Sequence, residues 1–240
     1  MNALRNSRAM TLVVTAISLA AGTLGLVSHA KADLISIGLQ ETSVNGGAIT
    51  VEGVPASGAV SIGPISYGTF SVNSASAFDT ASLGLPGILN SQSINVSTST
   101  SGVLNVWVTA QGLNAPLGVN TFFSTFTNND LNGSVTNAVE TTFFDPGNGL
   151  FTTTTTLDTA SFLPPGPQIV GPLTSAPQTF VAPFSVTEEY TITDVGGTSG
   201  NSNLTIDLSA DAVPEPTSLA LLASELVGLG WLGHRRRKAV

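Results

Sequence analysis

Apolar and polar residues alternate with a period of two along much of the chain. Leu204, Ile206 and Leu208 interleave with Asn203, Thr205, Asp207 and Ser209, and Ile35, Ile37 and Leu39 repeat the pattern near the start. Phe184, Val186, Tyr190 and Ile192 share one parity, Ser185, Thr187, Glu189, Thr191 and Thr193 take the other, and Glu188 breaks the rule by falling among the apolar set. Successive side chains of a strand point to opposite faces, so this period predicts strands with one buried face. Further strands are predicted at 48 to 53, 58 to 63, 66 to 72, 92 to 98, 103 to 109, 119 to 126, 134 to 144 and 150 to 157, separated by Gly, Pro, Asn and Ser clusters. Only the two ends break the pattern, with long apolar runs from Met10 to Val27 and from Thr217 to Gly233.

Many short strands without crossover helices predict an all-β fold, an antiparallel β-sandwich of jelly-roll or Greek-key type, flanked by an N-terminal signal helix and a C-terminal membrane helix. The five threonines Thr152 to Thr156 suit an exposed edge strand, because branching at Cβ disfavours helix. Leu163 to Pro177 carries five prolines, too many for a central strand, and reads as an extended surface connection. Asn132-Gly133 reads as a hairpin turn between the strands predicted at 119 to 126 and 134 to 144.

Charge changes this picture most at the ends. All seven basic residues lie there: Arg5, Arg8 and Lys31 on one side, Arg235, Arg236, Arg237 and Lys238 on the other. Of the fifteen acids only Glu215 and Glu225 lie beyond residue 213, so the middle is acidic with no base to balance it. Arg5 and Arg8, the apolar run and the small residues Ala30 and Ala32 around Lys31 have the layout of a secretory signal peptide, with cleavage expected after Ala32 and after Ala30 as the alternative. The chain therefore divides into a signal peptide at 1–32, a sandwich domain at 33–213 and a tail at 214–240. Without cysteine, the domain has no disulfide or thiolate metal site, and its stability rests on burial and backbone pairing.

The tail opens on Val213-Pro214-Glu215-Pro216, continues apolar to Gly233 and closes on His234 and the basic cluster Arg235, Arg236, Arg237 and Lys238. This sequence of motif, apolar segment and terminal basic cluster resembles the PEP-CTERM sorting signal. Basic residues after an apolar segment stay on the cytoplasmic side. The seventeen residues from Thr217 to Gly233, at about 1.5 Å each, fall short of a ~30 Å hydrocarbon core. Glu225 in their midst is an imperfection that a segment destined for removal tolerates. The resemblance implies an exosortase as partner, with Pro214, Glu215 and Pro216 as its recognition residues, alongside signal peptidase and transient residence in the inner membrane. It implies an exported, membrane-anchored precursor that ends at the cell surface or in extracellular polysaccharide.

The chemistry of the middle is defined by what it lacks. His29 and His234 fall in the terminal segments, so 33 to 213 holds no His, Cys, Lys or Arg. Ser-His and Cys-His nucleophiles, the usual zinc ligands and arginine clamps on phosphate are excluded, and so is nucleic acid binding, for want of cations to displace its counterions. A glycosidase needs two carboxylates in one site. The adjacent Glu188 and Glu189 point to opposite faces of a strand, and no other pair is visible in the sequence. No enzyme activity and no cofactor are expected. Asn128, Asp130, Asn132 and Gly133 have the spacing that opens a calcium loop, but Val139 stands at its twelfth position with Glu140 one residue late, leaving Asp130 and Glu140 as weak calcium candidates. The expected role is a non-catalytic surface or matrix protein. The alternative is a carbohydrate-binding or calcium-dependent adhesion module, for which Trp107, Tyr67 and Tyr190 are the aromatics with a polar handle.

Overall fold

A computed structural model describes residues 34–53, 56–79 and 87–212, together with Ser224. The two terminal helices expected from sequence, and with them Ala30, Ala32, the Val213 to Pro216 motif and the Arg235 to Lys238 cluster, lie outside the described residues. Among the described residues no helix is long and apolar enough to cross a membrane.

Among the described residues, fourteen strands form two antiparallel sheets packed face to face. They are β1 (Leu34–Glu41), β2 (Thr50–Val51), β3 (Ala59–Ile62), β4 (Ile65–Tyr67), β5 (Phe70–Phe78), β6 (Gly87–Thr98), β7 (Gly102–Leu113), β8 (Gly118–Asn132), β9 (Val135–Asp145), β10 (Thr155–Phe162), β11 (Gln168–Thr174), β12 (Gln178–Phe180), β13 (Phe184–Asp194) and β14 (Gly200–Ala212). The first sheet runs β10-β9-β13-β7-β1-β2 and the second β11-β8-β14-β6-β5-β3, with β12 added to β8 and β4 to β5. The period-two residues meet between the sheets: Ile35, Ile37, Leu39, Val106, Val108, Tyr190 and Ile192 from the first join Val72, Ile94, Phe122, Phe126, Leu204, Ile206 and Leu208 from the second in one core. Near Asp145 and Phe184 the core closes on four rings, in which Phe180 lies 4.8 Å from Phe122, 5.0 Å from Phe144 and 4.8 Å from Phe184.

Three local expectations are corrected. Asn132-Gly133 does not close a hairpin, because β8 belongs to the second sheet and β9 to the first; the turn is an arch carrying the chain across the core. Gly133 takes φ +65°, and a Cβ there would lie 2.0 Å from the Ser199 carbonyl oxygen of the neighbouring arch, so only glycine fits. The proline-rich segment contains β11, which pairs with β8 as a sheet edge and slips register between Val170 and Leu173, across Pro172. An edge tolerates proline because one row of its amides has no ladder partner to lose. The strand predicted at 150 to 157 lies instead at Thr155–Phe162; Thr152 and Thr154 precede it and serve a side-chain purpose.

That purpose is to hold the connection between β9 and β10. Asp145 accepts from the Gly147 and Gly149 amides at 3.1 and 2.7 Å and from the Thr152 and Thr154 hydroxyls at 2.9 and 2.8 Å. Burial raises the pKa of this carboxylate, but the four donors outweigh burial and hold it below the ordinary aspartate value. The clamped loop folds over the outer face of the first sheet, where Asn148 Oδ1 accepts from the Gly112 amide and Phe151 N donates to Thr109 Oγ1. Gly38 makes room for it, since a Cβ there would come within 2.7 Å of the Phe151 ring. Asp145→Ala is expected to cost about 2–3 kcal/mol, the scale of a few hydrogen bonds to a charged group. It should also release the Gly147 and Gly149 amides to rapid hydrogen exchange, and unchanged protection of both would show that the loop is held by packing alone.

Candidate functional site

The acids of this domain must be satisfied without a single cationic side chain between residues 34 and 212, and the structure places many of them inside. Glu41, Asp79, Glu140, Asp145, Glu188 and Asp194 are all buried. Amides and hydroxyls take the place of bases at several of them. Glu41 accepts from the Thr69 amide and hydroxyl and from Ser43. Asp194 accepts from Ser134 Oγ at 2.7 Å and the Gly196 amide at 2.5 Å, tying two arches together.

Glu140 and Glu188 are different. Glu188 pairs across the ladder with Thr142, and Tyr190 with Glu140, so the two carboxyls are diagonal neighbours on the core face of β9 and β13. Diagonal neighbours on adjacent strands are about 7 Å apart, within reach of long side chains. Both are fully buried. Ser91 of β6, in the opposite sheet, donates to Glu188 Oε2, and Tyr190 OH shares a hydrogen bond with the same Ser91 Oγ. With Ser91's single proton committed to Glu188, Tyr190 is the donor, giving a chain Tyr190 to Ser91 to Glu188 across the core. Glu188 Oε1 and both oxygens of Glu140 have no hydrogen-bond partner among the described residues.

Burial pushes both carboxyls well above the ordinary glutamate range. For Glu140 the neighbouring Glu188 adds to the rise and the nearby Thr127 amide, outside hydrogen-bonding geometry, offsets part of it; for Glu188 the Ser91 hydrogen bond offsets part and Asp207 adds. Two like charges this close in a dry interior cannot both ionise, so the pair is held as neutral acids. Glu189, one residue on and facing outward, is pushed up to about 7 by burial alone. At the strand edge, Asp158 is also raised by burial, partly offset by Ser124 Oγ, which donates to it at 3.0 Å.

A carboxyl pair on neighbouring strands therefore exists, though sequence reasoning found none. Its signal was available: Glu188 breaks the alternation of its strand, and Glu140 shares the parity of Ala138 and Phe144. Sealed between the sheets, the pair reaches no substrate. The calcium candidates are not brought together, for Asp130 is partly exposed and held by the Asn132 and Asn201 amides whereas Glu140 is enclosed. Among the described residues no cluster of three or more potential metal ligands occurs.

The three aromatics with polar handles are also interior. Tyr190 faces the core, Tyr67 donates to the Leu39 carbonyl at 2.9 Å, and Trp107 donates to Gln40 Oε1 at 3.2 Å; all three are buried and form no exposed platform. The outer face of the second sheet is instead a lattice of small polar groups, in which Asn73 Nδ2 donates to Asn95 Oδ1 at 2.7 Å and Ser97 Oγ at 3.2 Å. At its edge lies an open cleft of about 380 Å³ lined by hydroxyls, among them Ser66, Thr69, Ser97, Ser99 and Ser199.

No family model matches the chain, and no curated protein matches it. Three solved structures resemble it in part. The carbohydrate-binding module TmCBM61, solved in complex with beta-1,4-galactotriose, is 9% identical with a TM-score of 0.28 over 58% of this chain and 82% of that one. The enzymatically active domain of tailspike protein 4 from bacteriophage CBA120 is 11% identical with a TM-score of 0.25, over 55% of this chain and 17% of that one. A chain of infectious bursal disease virus, Gt strain, is 9% identical with a TM-score of 0.29, over 76% and 57%. At these TM-scores none of the three likenesses bears on function.

Proposed function

We propose that this chain is a non-catalytic exported protein of the cell surface or extracellular matrix, delivered by a signal peptide and sorted by an exosortase through Val213-Pro214-Glu215-Pro216. The observation that supports the reading is positional: the described strands run from Leu34, two residues after the expected cleavage at Ala32, to Ala212, next to the motif. The Glu140 and Glu188 carboxyl pair in the core is sealed, which favours display over catalysis. Deleting residues 214–240 is expected to release the domain as a soluble periplasmic product, with a mature N-terminus at Asp33. Arrival of the truncated protein at the surface in normal amount would overturn the sorting role, and surface material beginning at Met1 would overturn cleavage.

Association with extracellular polysaccharide is part of the same proposal. What favours a direct contact with neutral sugars is the Asn73, Asn95 and Ser97 cluster of the second sheet with its hydroxyl-lined cleft, while Asp207 and Asp211, exposed on the same face of β14, repel anionic polymers. Retardation in gels containing a neutral polysaccharide, absent in gels containing an acidic one, is the expected result.

A further inference from the structure

We infer that one end of the sandwich is a membrane-docking surface, and that its partner is the outer leaflet of the lipid bilayer in which the precursor is anchored. The inference rests on the anchored precursor proposed above and adds to it a defined face of the folded domain. The register fixes which groups share this end. Leu34 of β1 pairs with Gln111 near the close of β7, Leu113 pairs with Phe184 at the start of β13, and Ala212 at the close of β14 pairs with Asn120 near the start of β8. The short connection from Leu113 to Gly118 joins the two sheets here, so the first and last described residues of the domain leave from the same end.

Four apolar side chains are exposed at that end, beside the polar Asn114, Thr179 and Asp211. Leu117 is 58% exposed, Val181 65%, Val119 44% and Leu34 43%. Leu117 and Val119 flank the start of β8, and Val181 follows β12, whose Phe180 pairs with Gly118, so the three lie side by side. They are not needed by the core, which the four phenylalanines close immediately above them.

The chain beyond the fold supplies the occupant. Only Val213, Pro214, Glu215 and Pro216 separate Ala212 from the apolar run that begins at Thr217. Five Cα steps span no more than about 18 Å when fully extended. With that run in the bilayer, the end bearing Leu117, Val119 and Val181 is held against the interface, and the opposite end is held away. No Lys or Arg is present between 34 and 212 to attract anionic headgroups, so the attraction is apolar burial alone, and salt, which screens the repulsion between those headgroups and acids such as Asp211, should not weaken it.

The cysteine-free chain allows a direct test. The full chain with Leu117→Cys, Val181→Cys or, as an opposite-end control, Val195→Cys carries an environment-sensitive fluorophore in vesicles of phosphatidylethanolamine and phosphatidylglycerol. Flotation with the vesicles reports the anchor; quenching by aqueous iodide against a lipid-borne quencher reports docking. The expected result is several-fold stronger lipid-borne quenching at 117 and 181 than at 195, not weakened in high salt. A label-free check is slower hydrogen exchange of residues 114–119 in vesicles than in detergent, lost in a Leu117→Asp, Val181→Asp double variant. Flotation with equal iodide quenching at all three sites overturns docking and leaves the anchored reading standing. Failure to float overturns both. Protection that persists in detergent and grows with protein concentration assigns the face to a second copy of the chain and overturns the lipid assignment.

Discussion

The domain is expected to become less stable as pH rises from about 4.5 to 8, opposite to the usual behaviour of an acidic protein whose carboxylates are paired. Glu140 and Glu188 hold protons in the folded state that an unfolded chain releases once pH passes the ordinary glutamate value. A carboxyl with a raised folded pKa contributes its full stability below the unfolded pKa, and loses it as pH climbs toward the folded one. Each such group tilts stability by about 1.4 kcal/mol per pH unit inside that window. Glu189 adds to the slope only up to about pH 7. Asp145 acts in the opposite sense on the acid side, since its lowered pKa makes its contribution present above the ordinary aspartate value and lost below it. Together they place the optimum near pH 4 to 5. Glu140→Gln and Glu188→Gln keep shape and hydrogen-bonding capacity without the titration, so each should flatten the slope and raise the melting temperature at pH 8. Melting temperatures that stay level or rise between pH 5 and 8 in the parent would show the pair to be hydrated or paired in solution.

Phe180→Ala is expected to be strongly destabilising, at about 3–5 kcal/mol. Phe180 is buried, comes from a three-residue strand and touches the rings of Phe122, Phe144 and Phe184, so its removal opens a cavity that the rigid strands on either side cannot collapse into. Phe180→Leu should recover most of the loss, and Val181→Ala next door should change stability by less than about 0.5 kcal/mol because that side chain faces solvent. Urea midpoints at constant slope would rank the three. A loss below about 1 kcal/mol for Phe180→Ala would mean that β12 is not part of the cooperative core.

The strands most legible in the sequence were those with one dry and one wet face, such as β13 and β14, where exposure alternates from Glu188 to Asp194 and from Gly200 to Ser209. β7 was harder to bound because the clamped loop buries part of its outer face as well, which turns alternation into a run from Val106 to Ala110. β11 was hidden by its prolines, tolerated there because the strand has a partner on one side only. Turn chemistry misled at Asn132-Gly133, since a glycine at positive φ serves a hairpin and an arch equally well, and only the sheet membership of the flanking strands separates them. The buried acids followed the same logic: parity placed Glu140 and Glu188 on core faces, while the absence of any base argued for exposure. Parity was the better guide because the donor to Glu188, Ser91, comes from the opposite sheet and is 97 residues away in sequence.

The place of β14 in the second sheet has a consequence for the timing of folding. This final strand is not an edge; it lies between β8 and β6 and hydrogen-bonds to both along most of its length. A chain threaded through a translocon from its N-terminus presents every other strand first, yet the second sheet stays split into two halves until residues 200–212 emerge. Contacts of such long sequence separation form slowly and close late. On the proposed export route, the two halves of the second sheet would therefore be joined only when residues 200–212 have cleared the channel, so that completion of the sandwich would coincide with arrival of the tail.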